Sequence, residues 1–212
     1  MFTKTLLPDT LRAIKLVSII PTVNRAYLAG GTALALQLGH RISVDLDFFT
    51  QEQINESLVA TELSQLTKFN EDQRSWGTVL GMIGETKFSI FYYPYKLIDK
   101  LLPFEGIQLI GKKDIAAMKL HAISDRGVKR DFIDMYLLAQ EFSMDEVFDF
   151  YDQKYGLTKE RTYLILKSLD YFVSADNNAM PRMLVDVDWE KVKDFFRKET
   201  PRLAKKNLGE DL

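Results

Sequence analysis

The sequence predicts an α+β fold, with a mixed twisted sheet flanked by helices in residues 1–111 and a helical half in residues 112–212. Three observations predict it. Tyr27 to Thr50 reads as strand, glycine turn, helix and strand in immediate succession. Two apolar runs, Trp76 to Ile83 and Thr86 to Tyr93, flank Gly84-Glu85, and the second is rich in aromatic and β-branched residues, the pattern of a hairpin. From Asp114 onward, periodic apolar positions recur at helical spacing.

Taken in order, Leu7 to Ile20 is an amphipathic helix, with Pro8 in its first turn and Leu11, Ile14, Val17 and Ile20 about three apart. A first strand follows Pro21 and ends at Tyr27 and Leu28. Gly30-Gly31 then opens a helix-forming run from Thr32 to Leu38, which Gly39 closes as a C-terminal cap. Paired glycines let a backbone approach a phosphate with no Cβ in the way, and the N–H groups of the next helical turn point at it. Thr32 adds a hydroxyl.

Ser43 to Phe49 alternates as a strand, which puts Asp45 and Asp47 on one face. Two adjacent carboxylates repel. They are either the solvated side of an edge strand or the seat of a hard divalent cation, bound through one or two carboxylates plus substrate phosphates. Thr50 is placed to cap a helix over Gln53 to Leu66, and the polar stretch Lys68 to Arg74 breaks that periodicity. With the hairpin and a short strand at Ile107 to Ile110, the sheet is expected to have four or five strands.

The helix Asp114 to Ser124 carries Lys119 on its apolar stripe, flanked by Ile115, Ala116, Ala122 and Ile123. Its ammonium either snorkels to solvent or meets an acceptor. The basic loop Asp125 to Arg130 leads into a helix with Asp131 and Asp134 on its first turns, where Asp131 also suits a cap. Ser143 to Glu146 is a capping box, Gly156 ends that helix, and further helices span Thr158 to Val173 and Asp188 to Arg197. Phe148, Phe150, Tyr151, Phe195 and Phe196 read as packing residues. Lys198, Arg202, Lys205 and Lys206 read as a solvated face, with contact to RNA as the alternative.

Composition narrows the chemistry. With 212 residues and 46% hydrophobic content the chain can bury one sizeable core or two small ones. It has no cysteine and only two histidines, His40 and His121, which excludes disulfides, thiolate zinc and cysteine nucleophiles; any metal is held by oxygen. A formal charge of −2 gives no global footprint for nucleic acid. No apolar run approaches the roughly 18 residues that span a bilayer, and the N-terminus, with Lys4 and Pro8-Asp9, lacks a signal-peptide core. A cytoplasmic location is the expectation.

Gly-Gly-Thr at residues 30–32, followed by Gly-His-Arg, Ser43 and Asp-Leu-Asp-Phe-Phe at residues 45–49, resembles the first motif of the polymerase-beta-like nucleotidyltransferase superfamily, and within it the AbiEii/AbiGii-type family. That family includes toxins of type IV toxin-antitoxin and abortive-infection systems. Lys119 with Arg130-Asp131 and Asp134 resembles the family's second signature.

The resemblance implies transfer of a nucleotidyl group from a nucleoside triphosphate to a hydroxyl acceptor. Gly30, Gly31, Thr32 and Ser43 would hold nucleotide, and Asp45 and Asp47 would ligate Mg²⁺ or Mn²⁺. Lys119 would contact phosphate, Asp134 would act in the catalytic centre as general base or metal-associated acid, and Arg130, Arg41 and Asp131 would support them. The helical half would complete the active-site cleft.

Many superfamily members carry a third acid on the strand after Asp-x-Asp, where this chain has Ser89; one ordered Mg²⁺ is therefore the expectation rather than two. By analogy with toxin members the acceptor is the 3′ end of transfer RNA, with protein and small-molecule acceptors open, and an antitoxin protein is the expected partner. A non-catalytic nucleotide-binding protein, a housekeeping nucleotidyltransferase and a metal-dependent phosphohydrolase are the alternatives.

Overall fold

The computed structural model describes residues 1–66 and 68–209. The chain divides into two compact units, Met1–Gly111 and Lys112–Leu212.

The first unit opens with a 3₁₀ turn, Thr3–Thr5, and helix α1, Pro8–Val17. Pro8 starts α1 where a missing N–H costs nothing, and Ala13, Ile14 and Val17 are buried. The helix stops three residues short of the expected Ile20, because the second proline opens a new short helix, α2, Pro21–Asn24. Strand β1 is only Tyr27–Leu28. Helix α3, Gly30–Leu38, ends at Gly39, whose φ of 73° is left-handed and whose N–H donates to the Ala35 carbonyl.

Strand β2, Leu46–Thr50, and helix α4, Glu56–Ser64, follow. Thr50 ends the strand and does not cap α4. Asn55 does, its side chain accepting from the Leu58 N–H at 3.0 Å. Strands β3 (Phe69–Ser75), β4 (Thr78–Ile83), β5 (Thr86–Tyr92), β6 (Leu102–Phe104) and β7 (Ile107–Leu109) complete a sheet ordered β3-β4-β5-β2-β1-β7-β6.

The sheet is mixed: β2 runs parallel to β5, and β1 is antiparallel to β2 but parallel to β7. One face is core, where Leu46, Phe48, Val79, Phe88 and Ile90 alternate inward and the Phe48 and Phe88 rings lie 5.6 Å apart. Among the described residues the sheet has seven strands, not four or five. Both unexpected strands lie at its edges: β3 is exposed along nearly its whole length, so no apolar alternation marks it, and β6 contains Pro103, which only an edge tolerates.

The second unit is helical: α5 (Lys112–Asp125), α6 (Lys129–Leu138), α7 (Met144–Tyr155), α8 (Lys159–Leu169), α9 (Val173–Asp176) and α10 (Trp189–Leu208). Helix α5 packs against α6, α7 and α8 through Ile115, Ala116, Ala117, Leu120 and Ile123. The Ser143–Glu146 capping box forms in both directions.

Helix α10 runs past the expected end at Arg197 and carries Pro201 within it. Its last turns bury Leu203 and Ala204, while Arg202 and Lys206 both pair with Asp145 on α7, at 2.7 and 2.8 Å. These anchors outweigh the proline, and they make part of the expected basic surface an intramolecular brace. Among the described residues no helix is long and apolar enough to cross a membrane.

Candidate active site

The polar features of the first unit gather at the N-terminus of α3. Gly30 has φ +64°, a conformation open to glycine, and a Cβ built on it would lie 3.3 Å from Asp47 Oδ2. A Cβ on Gly31 would overlap the Arg41 guanidinium and sit 3.3 Å from Ser43 Oγ. The two glycines thus give up their side-chain space to a carboxylate on one side and to a guanidinium and a hydroxyl on the other. The first-turn N–H groups of α3 have no partner within the helix, so this cradle suits an anion.

Thr32 ties the strand acids to that helix. Its hydroxyl donates to the Asp45 carbonyl at 2.5 Å and lies 2.9 Å from the Ser43 hydroxyl. A carbonyl can only accept, so the single Thr32 proton serves it and Ser43 supplies the proton between the two hydroxyls. The Ser43 N–H donates to the Thr5 carbonyl. Held in this way, residues 42–45 stay outside the ladder, and β2 begins at Leu46 rather than at Ser43.

Asp45 is therefore on the approach to the strand and Asp47 within it, both half-buried. The Ala29 N–H donates to the Asp47 carbonyl at 2.9 Å, which locks the acid's backbone to the residue that caps α3. In the parallel register of β2 with β5, Asp47 pairs directly with Ser89. Beyond Asp47 the same side of the sheet is aromatic, with Phe49 5.2 Å from Phe91 and 5.0 Å from Tyr93.

The donor set at this end of the sheet is two carboxylates, two hydroxyls and backbone, all hard oxygen. Among the described residues no group of three or more His, Cys, Asp or Glu side chains is arranged to hold a metal alone. The residues fit a Mg²⁺ that takes one or two carboxylates and draws its other ligands from phosphate and water.

In the second unit Lys119 does not snorkel. Its side chain is 6% exposed, and its ammonium lies 3.0 Å from Asp131 Oδ1 and 2.6 Å from Asp134 Oδ2, both carboxylates being fully buried. Helical spacing delivers this: Asp131 and Asp134 are three apart on α6 and face the stripe of α5 that carries Lys119.

Arg126, on the turn between the helices, clamps Asp131 from its other side, Nε to Oδ2 at 2.8 Å and Nη2 to Oδ1 at 3.0 Å. Burial alone would push the Asp131 carboxyl up, but the Lys119 ammonium and the Arg126 fork hold it below the usual carboxylate range. Arg130 is exposed on the first turn of α6. The cluster brings together three predicted residues, Lys119, Asp131 and Asp134, and adds Arg126. Sequence reasoning passed over Arg126 as one of several basic loop residues; the signal was its spacing, five residues before an acid and next to the turn-forming Gly127.

Residues 17–79 and 90–208 match the family model described as nucleotidyl transferase AbiEii toxin, type IV TA system. Protein aq_aa25 of Aquifex aeolicus (strain VF5) is 33% identical over 195 residues, covering 88% of this chain and 92% of that protein. Among solved structures, a putative nucleotidyltransferase from H. pylori superposes with a TM-score of 0.58 at 20% identity, over 95% of this chain and 94% of that one. MenT4, the nucleotidyltransferase toxin Rv2826c from Mycobacterium tuberculosis H37Rv, gives 0.56 at 16% identity over 92% and 82%. Both superpositions speak for the fold.

Proposed function

Since the chain belongs to the AbiEii nucleotidyl transferase toxin family and is a nucleotidyltransferase, we propose that it moves a nucleotidyl group from a nucleoside triphosphate to a hydroxyl at the 3′ end of an RNA, with transfer RNA the leading candidate. The observation that carries this reading is the cradle at Gly30-Gly31, open to a phosphate and flanked by Asp47, Arg41 and Ser43. The acceptor oxygen forms a bond to the α-phosphorus, the bond to the bridging oxygen breaks, and pyrophosphate leaves with that electron pair. Chemistry of this kind asks for positioning and charge neutralisation more than for a nucleophilic side chain.

In this reading Gly30, Gly31 and Thr32 bind the triphosphate through backbone N–H groups and hydroxyl, with Ser43 and Arg41 shaping the cradle. Asp45 and Asp47 would hold Mg²⁺, which neutralises phosphate charge and polarises the reacting oxygens when bound. Ser89 beside Asp47 supports one ordered cation rather than two. Lys119 offsets charge that develops on the phosphates, and Asp134, held by Lys119 at 2.6 Å, orients the acceptor hydroxyl and takes its proton. Asp131 and Arg130 support that pair. An antitoxin protein, by family, would restrain the activity in the cytoplasm, where the triphosphates are.

The test is incubation of purified protein with each labelled nucleoside triphosphate, Mg²⁺ and total RNA. Label on RNA is expected, and it should fall at least about a hundredfold in Asp45→Ala and in Lys119→Ala, the scale for losing one oriented electrostatic partner. Binding without transfer, or release of inorganic phosphate without an acceptor, would overturn the proposal; a variant at wild-type speed would remove that residue from it.

A further inference from the structure

Arg126 has no part in the reaction scheme above, yet it makes a two-point contact with a buried carboxylate of the cluster that does. Asp131 Oδ1 accepts from two cations at once, Lys119 Nζ and Arg126 Nη2, each at 3.0 Å, and Oδ2 accepts from Arg126 Nε. Lys119 and Arg126 thus bring two positive charges to Asp131, and Lys119 is shared with Asp134. An arginine fork fixes the carboxylate plane as well as its charge, which a point charge cannot do. The Arg126 side chain is half exposed, and it lines a polar cleft with Ser124, Gly127, Ser168, Tyr171 and Ser174.

We infer that Arg126 is a positioning residue for the transfer reaction: by taking up Asp131's charge and fixing its plane, it leaves the Lys119 ammonium shared between Asp131 and Asp134 instead of drawn onto Asp131. The inference rests on the reading of Lys119 and Asp134 given above. The contact through which it acts is the one with Asp131. The effect therefore belongs to turnover, where Lys119 meets developing charge, more than to nucleotide binding.

The experiment is a double-mutant cycle on the full chain, with the four labelled ribonucleoside triphosphates in equimolar mixture, Mg²⁺ and total RNA. Arg126→Gln should lower kcat about tenfold, the scale of one charge-assisted hydrogen bond, with the half-saturating concentration of the mixture changed less than about twofold. Arg126→Lys should recover to within about threefold of wild type, since it restores charge without the fork. In an Asp131→Asn background, Arg126→Gln should cost less than about twofold more, because the charged contact it acts through is gone.

A wild-type kcat in Arg126→Gln, an additive loss on Asp131→Asn, or a lowered melting midpoint with kcat per folded molecule retained would each overturn it. Lys119→Ala run in parallel separates the two levels. If Lys119→Ala transfers at wild-type speed, the underlying reading fails; if it is inactive while Arg126→Gln is unaffected, only the role of Arg126 fails.

Discussion

Replacing Gly30 by alanine should separate fold from function, because the structure provides a matched control. Gly30 sits at φ +64° and Gly84, in the β4–β5 turn, at φ +61°. An alanine at either position meets the same left-handed penalty, about 1–2 kcal/mol, and in a chain of this length each kcal/mol lowers the melting midpoint by about 2–4 °C. Their surroundings differ. A Cβ at Gly84 finds only Lys68 Cδ, at 4.0 Å, whereas at Gly30 it presses on Asp47 Oδ2 at 3.3 Å, tight enough that the carboxylate must give by a few tenths of an ångström. Since a displacement of about 1 Å at a reacting centre can cost a hundredfold, Gly30→Ala should lose at least about tenfold in nucleotidyl transfer while Gly84→Ala loses less than about twofold. Melting midpoints, read by circular dichroism, should fall equally. Equal activities in the two variants would refute the claim that Gly30 is spared a side chain for the sake of Asp47.

Other outcomes follow from the same geometry. Lys154 and Asp114 form a fully buried pair at 2.7 Å between α7 and α5; Asp114→Asn takes the carboxylate's charge from that buried ammonium and should cost about 3–5 kcal/mol in urea unfolding, whereas Asp114→Leu with Lys154→Met should recover most of it. Thr32→Val keeps the shape but loses both hydroxyl contacts, and should slow transfer about tenfold or more, with stability lowered by about 1 kcal/mol by the two lost hydrogen bonds. His121 is held below its ordinary value near 6.5 first by burial and then by the Arg161 guanidinium. The unfolded chain thus takes up a proton near pH 6.5 that the folded ring refuses, so its contribution is present above that pH and declines as pH falls from about 6.5 toward the lowered folded value. His121→Gln should flatten this part of the stability profile, and an unchanged slope would count against it.

What the sequence disclosed about the fold depended on whether an element buries a face. Strand β5 and helix α7 were legible because each turns an apolar side inward, β5 with a period of two and α7 with helical spacing and a capping box. Strand β3 was not: Asn70 to Ser75 is exposed, and its conformation comes from pairing with β4. The end of α10 was misplaced for the opposite reason. Pro201 argues locally for a stop, while Leu203, Ala204 and the ties of Arg202 and Lys206 to Asp145 argue for continuation from residues far away in sequence. Local propensity of a few kcal/mol yields to such anchors.

The site divides along the same line. Gly30, Gly31, Asp45 and Asp47 could be read because a glycine pair and a spaced acid pair are short-range patterns, and their partner Arg41 lies within eleven residues. Lys119 needed more. Its position on an apolar stripe showed that its ammonium required either an escape or an acceptor, and only the packing of α6 on α5 chose the acceptor, by setting Asp131 and Asp134 within 3.0 Å. Two buried carboxylates beside one ammonium favour further positive charge nearby, because an unbalanced buried charge is the costlier state. Arg126 brings such a charge to Asp131. It was the residue hardest to single out among its basic neighbours, because nothing local in the sequence marks Asp131 as the buried acid it grips.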